Sequence, residues 1–402
     1  MKEDPKHIHI SEHNYPLSDE RIAKFPLAVR DQSKLLVYRH GEVSEDVFTS
    51  LPDYLPKGSL MVFNNTKVIR ARIIMHKPSG ARIEVFCLEP YDPADYERAF
   101  AVKGSCRWSC IVGNLKKWKD GPLVIDFEYE GRAERMLAWR EGEGGREQIV
   151  RFEWTADLTF GQLLEHLGRI PIPPYLNRES QEIDNTRYQT VYSKFEGSVA
   201  AGLHFTPELI ERMRTQGFSF EEVTLHVGAG TFLPVKDRDA AAHPMHTEHF
   251  EIRRSSVERL LEKWDNITAV GTTSVRTLES LTALAWRIRT SGTPDASRVI
   301  GQWELYDLPE AFTGREALQV LSDYMVREGI EKLKAATQIM ITPLGYRFRI
   351  VRNIVTNFHQ PKSTLLLLVS AYVGDDWHRI YDYALTHDFR FLSYGDSSVL
   401  MR

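Results

Sequence analysis

Hydrophobic and polar residues follow two different periods along this chain. Between about residues 68 and 154, apolar and polar positions alternate in short runs separated by turns that contain glycine and proline. A period of two residues is typical of β-strands, whose side chains point alternately to opposite faces. Short, closely spaced strands of this kind predict a small all-β barrel or sandwich. The alternating runs are 82–88, 108–112, 123–129, 135–139 and 148–154.

After about residue 158 the pattern changes to segments with a helical period. Thr206 followed by Pro207 is typical of a helix N-terminus, and Gly217 is placed to end that helix. A second helix is predicted to open with a capping box formed by Ser255 and Glu258. Its apolar residues recur at helical spacing and are Val257, Leu260, Leu261 and Trp264.

Buried strands alternate with these helices. Residues 267–271 predict a buried strand that leads into a helix starting near Ser274, and residues 60–63 predict a similar strand before the alternating region. The simplest architecture is a mixed α/β main domain formed by residues 1–67 and 159–402. An inserted small β-barrel domain, formed by residues 68–158, interrupts it.

The composition is that of an ordinary globular protein. The chain has 402 residues, of which 42% are hydrophobic and 26% charged, and this excludes a disordered or fibrous class. Cys87, Cys106 and Cys110 are too few for a disulfide framework, which favours a reducing compartment. The most apolar run, 365–369, is far shorter than the roughly 20 residues of a membrane span. We expect a cytoplasmic protein with no secretory signal and no membrane segment.

Positive charge is concentrated in a few segments, although the net charge of the chain is −4. Residues 54–83 contain six lysines and arginines and no acid, and residues 335–374 contain four and no acid. The turn at 116–119 adds three lysines around Trp118. Such segments fit contacts with a nucleic-acid backbone, but they also fit solvated faces and strand edges.

A turn rich in glycine and hydroxyl groups, 271–276, joins the buried strand at 267–271 to the helix after it. A helix N-terminus presents unpaired backbone N–H groups, and Thr272 and Thr273 add short hydroxyls, so a polar or anionic ligand group fits there. The turn is neither a P-loop nor a dinucleotide-binding glycine motif. As a bare pattern it is equally compatible with an ordinary capped helix.

Several polar residues lie in glycine-rich or apolar surroundings. They include His204, His226, His359 and Asp396. One such histidine is usually a hydrogen-bonded core residue, but several beside glycines indicate a single pocket built from several loops. The segment 243–248 contains His243, His246 and Glu248 and so resembles half a metal site. Its proline prevents the regular helix that such sites use, and we expect no metal.

Segments spread along nearly the whole chain together match one known family. They are 15–17, 22–23, 30–31, 62–72, 171–175, 187–192, 202–206, 224–232, 271–280, 345–348, 357–367 and 390–396. In order and in residue content, these segments resemble the S-adenosylmethionine:tRNA ribosyltransferase-isomerases of queuosine biosynthesis. The resemblance implies an α/β domain with an inserted β-barrel. It also implies that the ribosyl part of S-adenosylmethionine, the co-substrate, is transferred to 7-aminomethyl-7-deazaguanine at the tRNA wobble position and isomerised there, giving epoxyqueuosine-tRNA with release of adenine and methionine.

Within this resemblance, the chemistry of the residue types suggests roles for them. Histidines exchange protons near neutral pH, carboxylates neutralise a sulfonium, and cations hold a carboxylate or a phosphate. The predicted catalytic residues are His204, His226, Arg276, Glu279, His359, Lys362 and Asp396. The predicted substrate-binding residues are Gly228, Gly230, Gly271, Thr272, Thr273, Tyr346 and Tyr394. The predicted tRNA-binding residues are Lys67, Arg70, Arg72, Lys116, Lys117, Arg347 and Arg349.

The chain departs from the family's pattern in several places. The loop before Gly202 is three residues shorter, Asn65 and Lys67 replace aspartate and arginine, and the segment 342–345 lacks the usual two tyrosines. About fifty residues near 288–337 form an additional segment. Two other hypotheses stay open: a catalytically impaired relative that binds tRNA, and a relative that acts on a different purine analogue. We expect a monomer or a weak homo-oligomer.

Overall fold

In a computed structural model of the chain, most β-strands belong either to a nine-stranded sheet or to a closed six-stranded barrel. The structure describes residues 6–67, 69–144, 147–188, 195–196, 203–226, 239–295 and 299–402. Two short strands, β4 (Thr66–Lys67) and β11 (Phe195–Glu196), form a separate parallel pair. The predicted class, mixed α/β with a small β-barrel, is confirmed.

The large sheet is parallel at its centre and antiparallel at its edges. In spatial order its strands are β15 (Lys332–Thr337), β13 (Glu248–Arg253), β12 (Ser219–His226), β3 (Leu60–Asn64), β14 (Ile267–Val270), β16 (Asn353–Asn357), β17 (Ser397–Met401), β1 (Lys34–Arg39) and β2 (Glu42–Val47). β12, β3, β14 and β16 are mutually parallel. β13 and β17 run in the opposite direction.

Helices cover both faces of this sheet, so its central strands are apolar at nearly every position. Leu60 and Val62 of β3 pack under one helical layer, whereas Met61 and Phe63 pack under the other. The helices are α1 (Leu51–Tyr54), α2 (Tyr96–Ala101), α3 (Phe160–Leu167), α4 (Glu182–Arg187), α5 (Pro207–Thr215), α6 (Arg254–Glu262), α7 (Thr272–Ser291), α8 (Gly314–Arg327), α9 (Thr364–Val373) and α10 (Asp376–Thr386). Among the described residues, none of the helices is long and apolar enough to cross a membrane.

All three helix starts predicted from sequence lie within two residues of the observed ones, but one predicted cap is wrong. The Thr206 hydroxyl accepts a hydrogen bond from the Leu209 amide, and α5 begins at Pro207 as predicted. α7 begins at Thr272, two residues before the predicted start near Ser274. The capping box predicted at Ser255 is wrong. α6 already begins at Arg254, whose amide donates to the carbonyl of Glu331, so the chain passes directly from β13 into the helix.

The barrel confirms the two-residue period of the central part of the chain. Its strands in spatial order are β10 (Glu147–Trp154), β7 (Ser105–Gly113), β6 (Arg82–Asp92), β5 (Arg72–His76), β8 (Leu123–Tyr129) and β9 (Arg132–Gly144). Inward-facing residues such as Val85, Trp108 and Phe152 are fully buried. The three cysteines also lie buried in this core as free thiols.

The barrel joins the rest of the chain at two neighbouring points. Arg72, at the start of β5, exchanges backbone hydrogen bonds with Arg169, which follows α3. The hydrophobic core of the barrel extends into α3 through Phe160. The boundary at residue 158 therefore stays a prediction. The segment 288–337, predicted as additional, holds the end of α7, all of α8 and strand β15, which is the outermost strand of the sheet on one side.

The side chain of Asn64 extends the pairing of β3 and β12 beyond the last backbone contact. Its Oδ1 accepts from the amides of Leu225 and Thr66, and its Nδ2 donates to the Leu225 carbonyl at 3.1 Å. Asn64 is 1% exposed. A buried amide that both donates and accepts here replaces the backbone partner that β12 lacks at this point.

We expect Asn64→Asp to destabilise the fold by about 2 kcal/mol at pH 7, because it removes the donor to Leu225 and buries a carboxylate against a carbonyl. Burial raises the pKa of such a carboxyl, so the deficit should shrink as the pH falls towards 5, where protonation restores a donor. Urea unfolding followed by circular dichroism measures both effects. The exposed Asn114→Asp is the matched control, and an equal loss in both variants would contradict this role.

Candidate active site

Several of the predicted catalytic and substrate-binding residues lie along one edge of the large sheet because of strand direction. The parallel strands β12, β3, β14 and β16 all end at this edge, and the antiparallel strands β13 and β17 begin there. His226 ends β12 and Asp396 precedes β17, which lies four strands away in the sheet order. At about 4.8 Å per strand, these two ends of the row lie roughly 19 Å apart.

The turn before α7 lies at the middle of this edge. Gly271 has φ of +81°, a conformation that favours glycine, and its amide donates to the carbonyl of Val355. α7 then opens with Thr272 and Thr273, and Gly271 provides no side-chain cap. The first turn of the helix therefore keeps backbone N–H groups that point towards the sheet edge.

Arg276, one turn into α7, forms a buried ion pair with the first residue of β13. Its Nη1 lies 2.5 Å from Oε2 of Glu248, and both side chains are at least 96% buried, with exposures of 4% and 0%. His246 Nε2 donates to the other oxygen of Glu248 at 2.9 Å. Burial opposes ionisation of Glu248, but Arg276 and His246 outweigh it, so the pKa of this carboxyl lies below its ordinary value. From the sequence we considered the segment 243–248 only as half a metal site, expected no metal there, and did not predict this ion pair.

Glu279 is tied to the backbone of a neighbouring segment. Its Oε1 accepts from the amides of Ile350 and Val351, and its Oε2 accepts from the amide of Arg349 and the hydroxyl of Tyr346. These four bonds account for the carboxylate as a structural anchor. Its predicted contact with a sulfonium stays a prediction that this geometry does not favour, and the same holds for substrate contact by the Tyr346 hydroxyl.

His204 lies in a hydrogen-bonded chain between Ser33 and Asn357. The Asn357 amide nitrogen donates to the carbonyl of Leu392, so its Oδ1 faces His204 Nε2 at 3.3 Å as an acceptor. His204 Nδ1 is then left to accept from the Ser33 hydroxyl at 2.8 Å. Burial lowers the pKa of His204 to about 4. A small cavity adjoins these residues, and its lining includes Arg30, Arg390 and Tyr394.

Asp396 fastens the loop that leads into β17. Its Oδ2 accepts from the amide of Arg390 at 2.7 Å, and its Oδ1 accepts from the amide of Lys34 at 3.1 Å. Gly395 is required beside it, because a Cβ there would lie 2.3 Å from the Arg390 carbonyl oxygen. Tyr394, the residue before Gly395, donates its hydroxyl to Asp184 at 2.5 Å. Among the described residues, the contacts of Asp396 and Tyr394 therefore hold this loop in place.

His359 and Lys362 follow β16 at the same edge. His359 Nε2 lies 3.0 Å from the Thr356 hydroxyl, its amide donates to the Tyr381 hydroxyl, and burial lowers its pKa to about 4. Lys362 is exposed, with φ of +55°, and its amide donates to the carbonyl of His13. The loop therefore presents a neutral imidazole and an exposed ammonium at the edge.

His226 lies where the barrel meets the sheet. Its ring stacks on Tyr96 of α2, with the centroids 4.6 Å apart and the planes 8° from parallel. Its Nδ1 is buried and has no hydrogen-bond partner in the described part of the chain, and burial lowers its pKa to about 4. A cavity opens beside this stacked pair, and its charged lining residues are Glu97, Glu221, Glu222, Glu251, Arg253 and Lys332.

The structure does not gather every predicted residue into one cavity. His226 and His204 line separate cavities, and the described residues around these two cavities include neither Arg276 nor His359. Gly228 and Gly230 lie outside the described residues, as does the shortened loop before Gly202. No group of three or more histidine, cysteine or acidic side chains placed to hold a metal occurs in the described part of the chain.

The predicted tRNA-binding cations differ in what they contact. Arg72 pairs with Glu84 at 2.6 Å, Arg70 donates to the Glu165 carbonyl, and Arg349 donates to backbone carbonyls around Leu308. The exposed members of the set are Lys116, Lys117 and Arg347. Nothing is described of the Lys67 side chain. The acid-free pattern in the sequence therefore mixes structural arginines with exposed cations.

The chain is similar to known proteins over nearly its whole length. A family model described as "Queuosine biosynthesis protein" matches residues 10–400. A curated relative from Magnetococcus marinus is 36% identical over 398 residues, which cover 97% of this chain and 93% of the relative. A relative from Trichlorobacter lovleyi is 35% identical and covers 98% and 99%, respectively. Both are named S-adenosylmethionine:tRNA ribosyltransferase-isomerase.

One solved structure is also similar. It is the crystal structure of an S-adenosylmethionine tRNA ribosyltransferase from Thermotoga maritima, 27% identical to this chain. The match has a TM-score of 0.46 and covers 97% of this chain and all of the other.

The low pKa of His204 makes stability depend on pH. In the unfolded chain a histidine titrates near pH 6.5, whereas folded His204 stays neutral down to about pH 4. The unfolded state therefore binds the extra proton first, and stability falls as the pH decreases from about 6.5 towards 4. Asp396 favours protonation of His204 and Arg390 opposes it, but burial dominates.

We expect His204→Gln to reduce the pH dependence of the unfolding free energy by up to about 1.4 kcal/mol per pH unit between pH 6 and 4.5. Glutamine keeps a donor and an acceptor but takes up no proton. Urea unfolding at several pH values measures the slope. His76→Gln, which removes an exposed imidazole, is the matched control and should keep the parent slope. An unchanged slope in His204→Gln would show that His204 is already protonated in the folded protein.

Proposed function

The chain belongs to the queuosine biosynthesis protein family, and we propose that it acts as an S-adenosylmethionine:tRNA ribosyltransferase-isomerase. The observation that carries this proposal is the likeness, over at least 97% of the chain, to relatives of that name at 35–36% identity. tRNA and S-adenosylmethionine are its substrates. The enzyme transfers and isomerises the ribosyl group onto 7-aminomethyl-7-deazaguanine at the wobble position, and adenine and methionine leave.

The three histidines at the sheet edge are the proposed bases. The positive sulfur of S-adenosylmethionine acidifies the neighbouring C–H of the ribose, and a base must remove that proton. His204, His226 and His359 each have a pKa of about 4, so all three are neutral near pH 7 but are weaker bases than expected from the sequence. Both ring nitrogens of His204 contact protein groups, whereas Nδ1 of His226 has no hydrogen-bond partner among the described residues. Lys362 is the exposed cation on the same edge and is proposed to assist departure of adenine.

The cavity beside Tyr96 is the proposed position of the target base. Its lining contains four glutamates and two cations, Arg253 and Lys332, and Glu97 and Glu251 pair with Lys332. The remaining net charge of −2 suits a positively charged aminomethyl group, and the carboxylates can accept from the N–H donors of a guanine-like edge. The parallel rings of Tyr96 and His226 add aromatic surface for a flat base. The cavity thus combines negative charge and aromatic surface, the two features that this modified base requires.

The proposed tRNA contacts are the exposed cations of the predicted set. Lys116 and Lys117 occupy a short turn between β7 and β8 of the barrel, and Arg347 lies in the loop before β16. Arg70, Arg72 and Arg349 are proposed to support this surface rather than to touch phosphate, because their guanidinium groups bond to protein atoms. We further propose that the protein is cytoplasmic, where its tRNA substrate is available, and that it needs no metal.

The direct test is product release. Purified protein with S-adenosylmethionine and tRNA that carries 7-aminomethyl-7-deazaguanine should release adenine and methionine in equal amounts, measured by liquid chromatography. The same tRNA with guanine at the wobble position is the control and should give neither. Tight tRNA binding without adenine release would instead indicate a binding protein that has lost catalysis.

Replacing each of the three histidines by glutamine identifies the base. Loss of a general base lowers the rate by about 10²- to 10⁴-fold, and we expect one of the three variants to show this loss while its affinity for S-adenosylmethionine is retained. Small losses in all three would contradict the histidine assignment.

tRNA binding should depend on salt and on the barrel turn. If about four cations contact phosphates, the logarithm of affinity falls with the logarithm of salt concentration at a slope of very roughly −3 to −4. Lys116→Glu with Lys117→Glu should weaken binding and make this slope shallower by about 1.5. Arg315→Glu with Arg327→Glu on α8 changes the net charge equally and is the control. Equal effects of both double variants would show a general charge effect and no specific contact.

A further inference from the structure

The guanidinium of Arg276 faces a carboxylate on one side and has no described hydrogen-bond partner on the other. Nη1 makes the ion pair with Glu248, whereas Nε and Nη2 have no hydrogen-bond partner among the residues that the structure describes. The side chain is 4% exposed. Leaving two donors of a buried cation unpaired is costly, because they have lost water and gained nothing in exchange.

The two unpaired nitrogens are those that a carboxylate recognises. Nε–H and the adjacent Nη2–H lie parallel along one edge of the planar guanidinium, and their spacing matches the two oxygens of a carboxylate. Arginine binds carboxylates through this edge as a two-bond fork. Since Glu248 already occupies Nη1, the other edge remains for a second anion.

A third unpaired donor lies on the same helix. The Oγ1 of Thr273 is buried and has no partner within the described ranges. Thr273 and Arg276 are three residues apart, so they share a face of α7. The neighbouring hydroxyls of Ser274 and Thr277 differ, since each donates to a backbone carbonyl four residues earlier. The unpaired groups are therefore confined to one face of the first turns of the helix.

The position on the helix favours negative charge. α7 has 20 residues, and its first turn carries the positive end of the helix dipole together with unpaired backbone N–H groups. Glu248 offsets one unit of charge on Arg276, so the site suits a single negative charge better than a doubly charged phosphate. A planar monoanion with two oxygens is the ligand that fits these donors.

We propose that Nε and Nη2 of Arg276, with Oγ1 of Thr273, bind the α-carboxylate of the methionine part of S-adenosylmethionine. This inference rests on the proposed function, because the co-substrate carries the single carboxylate among the proposed substrates. Glu248 and His246 act as positioning residues that hold the guanidinium in the required orientation. The methionine end of the co-substrate then lies between β13 and the start of α7.

Decarboxylated S-adenosylmethionine provides the test, since it lacks only the carboxylate. By isothermal titration calorimetry, the unaltered protein should bind S-adenosylmethionine at least about tenfold more tightly than the decarboxylated form. Arg276→Lys keeps a charge for Glu248 but loses the two-bond edge, and Thr273→Val removes one donor at constant shape. Both should weaken binding of S-adenosylmethionine and leave binding of the decarboxylated form unchanged.

Ser274→Ala is the matched control in the same turn, since its hydroxyl already has a backbone partner. It should lower stability without changing the preference between the two ligands. If the unaltered protein binds both ligands equally, or if Thr273→Val and Arg276→Lys keep the full preference, the inference is overturned. If Arg276→Lys does not fold, Thr273→Val and the unaltered protein decide the matter.

The same titrations separate this inference from the proposed function. Preference for the carboxylate with no adenine release on modified tRNA would overturn the function and support the site. Adenine release by a protein that does not distinguish the two ligands would support the function and overturn the site.

Discussion

The direction of four neighbouring strands is the constraint on which the rest of the site depends. β12, β3, β14 and β16 are parallel, so each delivers its following loop to the same edge of the sheet. The chain segments that carry His226, Asn64, Gly271 and Asn357 are far apart in sequence, yet they meet there because of this arrangement. The buried Arg276–Glu248 pair closes the arrangement on one side by joining α7 to the first residue of the antiparallel β13.

Two carboxylates that were predicted to be catalytic bind the protein backbone and stabilise the structure. Glu279 and Asp396 both accept backbone amides: Glu279 fixes the segment before β16, and Asp396 fixes the loop that leads into β17. In the proposals above, the cavity beside Tyr96 provides negative charge for a cationic substrate. Nε and Nη2 of Arg276, which have no hydrogen-bond partner among the described residues, provide positive charge for an anion.

Local sequence information was sufficient for much of the fold. The alternation in the barrel, the buried strands and the cap at Thr206 are set by residues within a few positions of each other, and all three were predicted. The capping box at Ser255 failed because the carbonyl of Glu331, distant in sequence, takes the role that a local cap would play. Likewise, the pairing of Arg276 with Glu248 and the anchoring role of Glu279 depend on strand order. Strand order cannot be read from a local sequence pattern. The segment 243–248 was therefore considered only as half a metal site.

The hydrogen-bonded contact between Arg72 and Arg169 has a consequence for how such a protein is assembled. The chain enters and leaves the barrel at adjacent points. The two ends of this segment of almost one hundred residues are therefore as close to each other as the two ends of a tight turn. The entropy of closing such a loop grows only with the logarithm of its length, so a large insertion costs the host sheet little more than a short one. The surface of a module fastened in this way can change without changing the strand register of the large sheet. The exposed lysines of the barrel and the buried ion pair of the sheet are therefore open to separate selection within one polypeptide.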